Sequence, residues 1–344
     1  MSETPKKFPF LRLPLLAIQQ VVSKMELQAM FYLSVTSTKA KNALRISLPK
    51  NYFYMECAFW SDTRITLEVP SHESIRLCLN PPWAREDAEI FFKIQNVEFR
   101  CSQQNMTLKY GGILEEGTKA LLTHLAETFN LPKISMHILN EIQPNVASTL
   151  LKHVKILNLP LVKVSLATER PSLEVYREFL NEGPRISQEL TMRCEYARDF
   201  SFSPESRNDF KMELFLVRDG HWVHLEDYME CRRVEVYNAT LNPKMYCLNA
   251  QRLNAFLKLW KGSECRLEYL SVNFGLSVSR PRIVLDGAGD IPQADRLNFE
   301  QMTAGLDGTN FTKTHFFQSL DIERLDGKRA RIKLSQRSFD FVCY

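Results

Sequence analysis

Residues 8–48 read FPFLRLPLLAIQQVVSKMELQAMFYLSVTSTKAKNALRISL and form the most apolar stretch of the chain. Apolar side chains occupy 23 of these 41 positions, or about 56%, compared with 44% of the whole sequence. A segment of this length is too short to bury so much apolar surface by itself. We therefore expect residues 8–48 to need a partner surface.

The spacing of the apolar residues in this stretch predicts three short helices. Pro14 suits a first helical turn, where its missing N–H costs nothing. The apolar residues that follow it at helical spacing are Leu15, Ile18, Val22 and Met25. A second helix, around Leu27 to Leu33, has apolar groups over most of its circumference and so needs more than one neighbour. Ser37 can cap a third helix through Leu44, although lysines in its first turn oppose the helix dipole.

This ordered set of residues resembles an F-box, in the version found in the large nematode F-box family. The resemblance lies in residues 8–14, Ile18, Val22, Met25, Leu33-Ser34 and residues 37–41. Leu16 and the pair Ala40-Lys41 stand where many F-boxes carry Glu and Trp. The resemblance implies that an adaptor contact is formed by Leu13, Pro14, Ile18, Val22, Met25, Leu27 and Leu33, with Ser34 and Lys39 at its edge. The residues alone also allow an N-terminal helical hairpin that caps its own domain.

Residues 51–112 read as a small β-rich region, because β-branched and apolar runs alternate there with proline and glycine turn signals. The predicted strands cover residues 65–69, 75–79, 90–100 and 106–110. A helix over residues 115–129 follows, with its leucines on one side.

From residue 113 to residue 280, helical and strand-like segments alternate. The strand-like runs begin near Ile134, Lys155, Glu189, Lys211, Arg233 and Arg266. Ser172 can cap a helix that ends at Gly183, and Asn249 and Gly262 bracket another. This alternation predicts right-handed crossovers and a largely parallel sheet. We expect a leucine-rich-repeat-like or open α/β layer, with a doubly wound sheet as the alternative.

Residues 281–344 begin with Gly-rich polar loops, around residues 286–290 and 305–308, and end with a predicted hairpin. Asp326-Gly327 lies between two strand-like runs and can supply the positive φ of a tight turn. A last strand can include Phe339 and Phe341. Residues 253–260 and the hairpin are similar to the nematode type of F-box-associated domain. The expected chain is therefore mixed α/β, with an F-box at 8–48 and an F-box-associated substrate-binding domain at 51–344.

Charge and cysteine content narrow the class of protein. The 344 residues include 44 Lys and Arg against 40 Asp and Glu, a net charge of +4. Residues 1–50 hold eight basic and two acidic residues, which leaves 36 and 38 in the remainder and no basic face for nucleic acid. Eight cysteines without a CxxC pair fit reduced thiols. Since no signal peptide or membrane span is recognisable, we expect a soluble cytoplasmic or nuclear protein without membrane or nucleic-acid partners.

Candidate chemistry in the sequence is sparse. His221 and His224 flank Trp222 at a spacing that could hold a metal, but only Cys231 is available nearby as a third ligand. Residues 286–290 lack the pattern of a phosphate loop. The catalytic motifs GxSxG and HExxH are absent, and no histidine adjoins Cys57, Cys194 or Cys265. We therefore expect no catalytic residues, no metal and no cofactor.

Interface hot spots favour aromatic residues, and two tryptophans of this chain have loop-like neighbours in the sequence. Trp83 and Trp222 are the candidates for binding a client protein. Through the F-box resemblance, the chain is expected to be the non-catalytic substrate receptor of a Skp–cullin–F-box ubiquitin ligase, bound to the Skp adaptor and through it to the cullin. The alternatives are a protein-binding scaffold that uses the same domains and an α/β enzyme with an unrecognised site.

Overall fold

The structure is a computed structural model that describes residues 10–50, 52–60, 62–70, 73–80, 89–102, 106–131, 133–139, 144–168, 171–195, 200–237, 250–273, 316–335 and 338–344. The chain divides into two compact units, Met1–Val162 and Lys163–Tyr344. The N-terminal helices therefore share a unit with the β-rich region that follows them.

The first unit begins with a short 3-10 turn and three helices. These are the 3-10 turn Phe10–Arg12, α1 (Leu15–Val22), α2 (Leu27–Thr36) and α3 (Thr38–Ser47). The carbonyl of Pro14 accepts a hydrogen bond from the N–H of Ile18 (3.0 Å), so α1 starts where the proline predicted. Ser37 Oγ accepts from the N–H of Ala40 (3.1 Å) and caps α3. The prediction of three short N-terminal helices is confirmed.

A seven-stranded mixed sheet forms the body of the first unit. Its strands are β1 (Tyr54–Phe59), β2 (Thr63–Glu68), β3 (Ser74–Leu79), β4 (Glu89–Ile94), β5 (Val97–Ser102), β6 (Thr107–Lys109) and β7 (Lys133–Leu139). They lie in the order β7-β1-β2-β3-β6-β5-β4. The pairs β1–β7 and β3–β6 are parallel, and the other neighbouring pairs are antiparallel.

Two more helices complete the first unit. Helix α4 (Leu114–Phe129) contacts α3, β3 and β4, and helix α5 (Pro144–Ile156) packs on α4. Asn130 ends α4 in the left-handed conformation (φ 46°), which asparagine tolerates well. Helix α4 thus joins the N-terminal helices to the sheet.

The second unit also contains a mixed sheet. Its strands are β8 (Leu161–Ala167), which begins at the junction, β9 (Ser187–Met192), β10 (Leu214–Val217), β11 (Arg233–Val236), β12 (Tyr269–Asn273), β13 (Phe316–Glu323), β14 (Arg329–Ser335) and β15 (Ser338–Cys343). The order is β13-β14-β15-β12-β11-β10-β9-β8. Strands β9 to β12 run parallel, as predicted, whereas β15, β14 and β13 continue the sheet in antiparallel pairs.

Two helices belong to the second unit, α6 (Leu173–Ile186) and α7 (Ala250–Gly262). Trp260 of α7 packs edge-on against Phe341 of β15, with ring centroids 5.0 Å apart. Ser172 Oγ accepts from the N–H of Val175 (3.3 Å) and begins α6 as predicted. The predicted hairpin is confirmed, since β13 pairs with β14 and Gly327 in the turn has φ +86°.

Three local predictions differ from the structure, and one strand was missed. The strand predicted over residues 90–100 is the hairpin β4–β5, because Gln95 and Asn96 both adopt positive φ and reverse the chain. The strand predicted near Lys155 is the end of α5, whose buried residues follow a helical spacing, and β8 begins at Leu161. Helix α6 continues three residues past Gly183, where the Ser187 hydroxyl donates to the Gly183 carbonyl (2.8 Å). Strand β1 was not predicted.

The Gly-rich loops predicted at residues 286–290 and 305–308 lie outside the described residues, as does Trp83. Among the helices that the structure describes, none combines the length and the hydropathy that crossing a bilayer requires.

Candidate protein-interaction sites

The N-terminal helices expose an unusual concentration of large apolar side chains. In the described part of the chain, fourteen large hydrophobic residues are exposed, and five of them lie within residues 10–47. We call these five the N-terminal apolar cluster, and its members are Leu11, Leu15, Leu16, Val21 and Ile46. They belong to the 3-10 turn, α1 and α3, and both the turn and α1 contact α3. Exposed apolar groups concentrated in this way indicate an interaction surface.

The helical period explains why Leu16 and Val21 of α1 reach the surface, although it does not account for the exposure of Leu15. Ile18 and Val22 are one turn apart and both are buried, so they form the inward stripe of the helix. Leu16 and Val21 lie outside this stripe and remain exposed because α1 is apolar on more than one side.

The structure divides the nine predicted adaptor contacts into inner and outer residues. Ile18, Val22, Leu27 and Ser34 are buried within the unit, Leu13, Met25 and Leu33 are partly exposed, and Pro14 and Lys39 are exposed. The four buried side chains hold the helices together, and in this conformation they offer no contact area to another protein. The exposed apolar surface of these helices is instead supplied by the members of the N-terminal apolar cluster. The 100° spacing of α1 places Leu16 and Val21 on a different side from Val22, but which side is buried depends on how the helix packs.

Ser34 has an internal role that the sequence did not reveal. Its hydroxyl donates to the carbonyl of Phe31 (2.6 Å) and also lies 2.8 Å from Nε2 of His124 on α4. Because the one hydroxyl proton is used on Phe31, Nε2 of His124 must carry the proton and donate to Ser34. Burial, together with the nearby charge of Lys41, lowers the pKa of His124 to about 4, so the ring is neutral at pH 7. This contact ties α2 to α4.

A groove runs between the end of α2 and β4. Its volume is about 640 Å³. The six consecutive residues 90–95 of the β4–β5 hairpin line one side of the groove. The other lining residues come from α2, α3, α4 and the turn between α2 and α3, and they are Tyr32, Ser34, Val35, residues 36–38, Lys41, His124 and Glu127. Lys41 and Glu127, which both line the groove, form an ion pair with Nζ and Oε2 2.7 Å apart. Nothing in the residue pattern of β4 had indicated this groove.

A second polar arrangement lies across the sheet of the second unit. Glu235, Ser271, Asp340 and Lys333 face one another on β11, β12, β15 and β14, and we call them the polar row. The hydroxyl of Ser271 donates to Asp340 Oδ1 (2.6 Å), and that of Ser338 donates to Asp340 Oδ2 (3.2 Å). Despite these bonds, burial raises the pKa of the Asp340 carboxyl to about 6.

The histidines that flank Trp222 do not converge on one point. His221 Nδ1 lies 3.5 Å from Asp219 Oδ2, whereas His224 Nδ1 lies 3.1 Å from Nη1 of Arg252. Cys231 donates its S–H to the carbonyl of Phe210 (3.0 Å). Within the described ranges, no group of three His, Cys, Asp or Glu side chains could hold a metal ion.

The three cysteines considered as nucleophiles have pKa values above the ordinary thiol value. Burial raises the pKa of Cys194 to about 11 and raises those of Cys57 and Cys265 as well. These thiols are therefore protonated at neutral pH, and the thiolate is the nucleophilic form.

Trp222 is part of the core of the second unit. Its side chain is 0% exposed, and its ring packs edge-on against Tyr176, Phe200 and Phe202 at centroid distances of 6.0, 5.3 and 5.9 Å. The prediction that Trp222 anchors a client protein is therefore wrong for this conformation. Loop-like neighbours in the sequence suggested exposure, but the loop itself is packed inward.

Comparison of this chain with protein-family models, with curated proteins and with solved structures finds no match.

Proposed function

We propose that this chain is the substrate-recognition subunit of a Skp–cullin–F-box ubiquitin ligase. The observation that carries the proposal is the N-terminal apolar cluster, which lies within the same 41 residues that resemble an F-box. Short helices that expose apolar side chains, here the 3-10 turn, α1 and α3, provide the type of surface that binds another protein.

In this proposal the N-terminal helices bind the Skp adaptor, and the adaptor links them to the cullin. The remainder of the chain, as an F-box-associated domain with a leucine-rich-repeat-like layer, holds a client protein. Tethering raises the effective concentration of the client's lysines near the ubiquitin-carrying enzyme. The chain itself would position the client and leave the covalent chemistry to other subunits.

Adaptor binding by the intact protein tests this proposal. We expect the double variant Leu11→Asp/Leu15→Asp to lower adaptor affinity by about a hundredfold or more, since it removes two leucines from the contact and places charges there. The measurement is isothermal titration of the purified full chain with the Skp adaptor.

The matched control is Ile113→Asp/Ile156→Asp. These isoleucines are also exposed apolar residues of the first unit, 64% and 79% exposed, but they lie outside the N-terminal helices. The control is expected to bind like the wild type. The proposal fails if the wild-type chain does not bind the adaptor under conditions in which a known F-box protein does. Retained binding by Leu13→Ala/Pro14→Ala would show that the Leu-Pro pair is not part of the contact.

A further inference from the structure

We propose that the open edge of β4 is a docking site for an extended acidic peptide segment, which adds to the sheet of the first unit as a further strand. Strand β4 is the last in the strand order, and among the described residues only β5 pairs with it. An edge strand presents unpaired N–H and C=O groups, which an extended chain can satisfy.

The register of the β4–β5 hairpin determines which backbone groups are available. Gln95 and Asn96 form a two-residue turn with positive φ, so the closing pair Ile94–Val97 is hydrogen-bonded. Hydrogen-bonded and non-hydrogen-bonded pairs alternate along an antiparallel ladder. The backbone N–H and C=O groups of Phe91 and Lys93 therefore point away from β5, toward the open edge.

The groove runs along this same edge. Successive residues of a strand point to opposite faces of a sheet. All six residues from 90 to 95 line the groove, and they can do so together only if it follows the edge of the strand, where the backbone is accessible. A peptide lying there would have the open edge on one side and the α2–α3 turn on the other.

The charges around the groove favour an acidic segment. Two lysines, Lys41 and Lys93, and one carboxylate, Glu127, line the groove, which leaves a net charge of +1 in the lining. Lys41 is paired with Glu127 (2.7 Å), and Lys93 lies 3.6 Å from Glu98, which is outside the lining. The Arg100 guanidinium lies 5.4 Å from the centre of the Phe91 ring, beside the edge, and adds a positive charge. The N-terminus of α3, which carries the positive end of the helix dipole, also borders the groove, since Ser37 and Thr38 line it.

The exposed side chains of the edge define the peptide further. Phe91 is 59% exposed and shares the outer face of the hairpin with Lys93. Alternate residues of an added strand would lie beside these two, so an apolar residue fits next to Phe91 and an acidic residue next to Lys93. Lys93 would at the same time oppose pairing with a basic strand. None of the members of the N-terminal apolar cluster lines the groove, so substitutions in that cluster leave its lining unchanged.

Fluorescein-labelled peptides provide a direct test on the full chain. The acidic probe is Thr-Glu-Thr-Ile-Thr-Glu-Thr, which has an acidic residue two positions from an apolar one in either strand direction; its charge control is Thr-Lys-Thr-Ile-Thr-Lys-Thr, and its backbone control is the acidic peptide with alternate amides N-methylated. We expect the acidic peptide to bind with a dissociation constant below about 1 mM and the two controls to bind at least about tenfold more weakly. Binding is measured by fluorescence anisotropy, and hydrogen exchange is expected to slow in residues 89–95.

Two substitutions distinguish the contribution of backbone hydrogen bonds to peptide binding from the contribution of the Lys93 charge. Lys93→Pro removes an N–H that points outward, which an edge strand tolerates, and should abolish binding of the acidic peptide. Lys93→Gln keeps that N–H and should weaken binding only a few-fold. Hydrogen exchange in α4 reports whether each variant is folded. The proposal is overturned if the acidic peptide does not bind, if the N-methylated peptide binds equally well, or if residues 89–95 gain no protection.

Discussion

Replacing Trp222 with alanine is expected to lower the free energy of unfolding of the second unit by about 3–5 kcal/mol. The indole is fully buried and contacts three aromatic rings edge-on, so alanine leaves a large cavity and removes all three contacts. Urea denaturation followed by circular dichroism measures the change. Because the chain has two units, the loss should appear in one of two transitions if they unfold separately.

The control for this prediction is Trp222→Phe. Phenylalanine keeps an aromatic ring in the cluster and leaves a smaller cavity, and the buried indole N–H has no hydrogen-bond partner among the described residues. We therefore expect the phenylalanine variant to lose less than half as much stability as the alanine variant. An alanine variant as stable as the wild type, but unable to bind a client, would restore Trp222 as a surface anchor.

Replacing Asp340 with asparagine is expected to stabilise the second unit at neutral and alkaline pH. Burial raises the pKa of this carboxyl from 3.8 to about 6, so the folded state favours the protonated, neutral form. The contribution of Asp340 to stability is therefore complete below about pH 4 and is lost as the pH rises through about 6. A shift of this size corresponds to about 3 kcal/mol at pH 8.

Asparagine keeps a neutral group of the same shape between Ser271 and Ser338. We expect the Asp340→Asn variant to gain up to about 3 kcal/mol over the wild type at pH 8 and almost nothing near pH 4. Urea denaturation at several pH values measures this difference. A gain that does not change with pH would contradict the prediction, since titration of Asp340 would then play no part in it.

Asp326 provides a control in which the expected effect of Asp→Asn on stability has the opposite sign. The Arg324 guanidinium and the N–H of Lys328 lower the pKa of this exposed carboxyl to about 2. Its charged form is therefore favoured by folding, and Asp326→Asn should destabilise the protein at neutral pH. Opposite effects of the two Asp→Asn substitutions at the same pH would identify burial as the cause at Asp340.

Local signals in the sequence were sufficient for many of the elements. Pro14 and Ser37 marked the starts of α1 and α3, and Asp326-Gly327 marked the closing hairpin, because caps and turns depend on neighbouring residues only. The β4–β5 turn was missed because Gln95-Asn96 is a weaker signal than Asn-Gly, although both residues adopt positive φ.

The candidate interaction surfaces could be located only from the tertiary structure. An apolar stretch over residues 8–48 indicated a partner surface, but nothing in it distinguished buried Val22 from exposed Val21, since that depends on where α1 packs. The groove beside β4 is likewise formed by residues as distant in sequence as Val35, Lys93 and Glu127. Its lining could not be read from any single segment.

The sequence by itself determined which residues share a face, and only the tertiary structure decided which face is buried. Around Val234 and Val236, and again around Phe339 and Phe341, apolar and polar residues alternate, which correctly predicts strands with one apolar side. Such alternation is typical of sheets whose polar side faces water. Here Glu235, Asp340 and Lys333 are buried as well, because strands separated by about a hundred residues in the sequence bring their polar groups side by side in the sheet. Asp340 accepts a hydrogen bond across the sheet from Ser271, and Glu235 accepts from Arg233 and Tyr237.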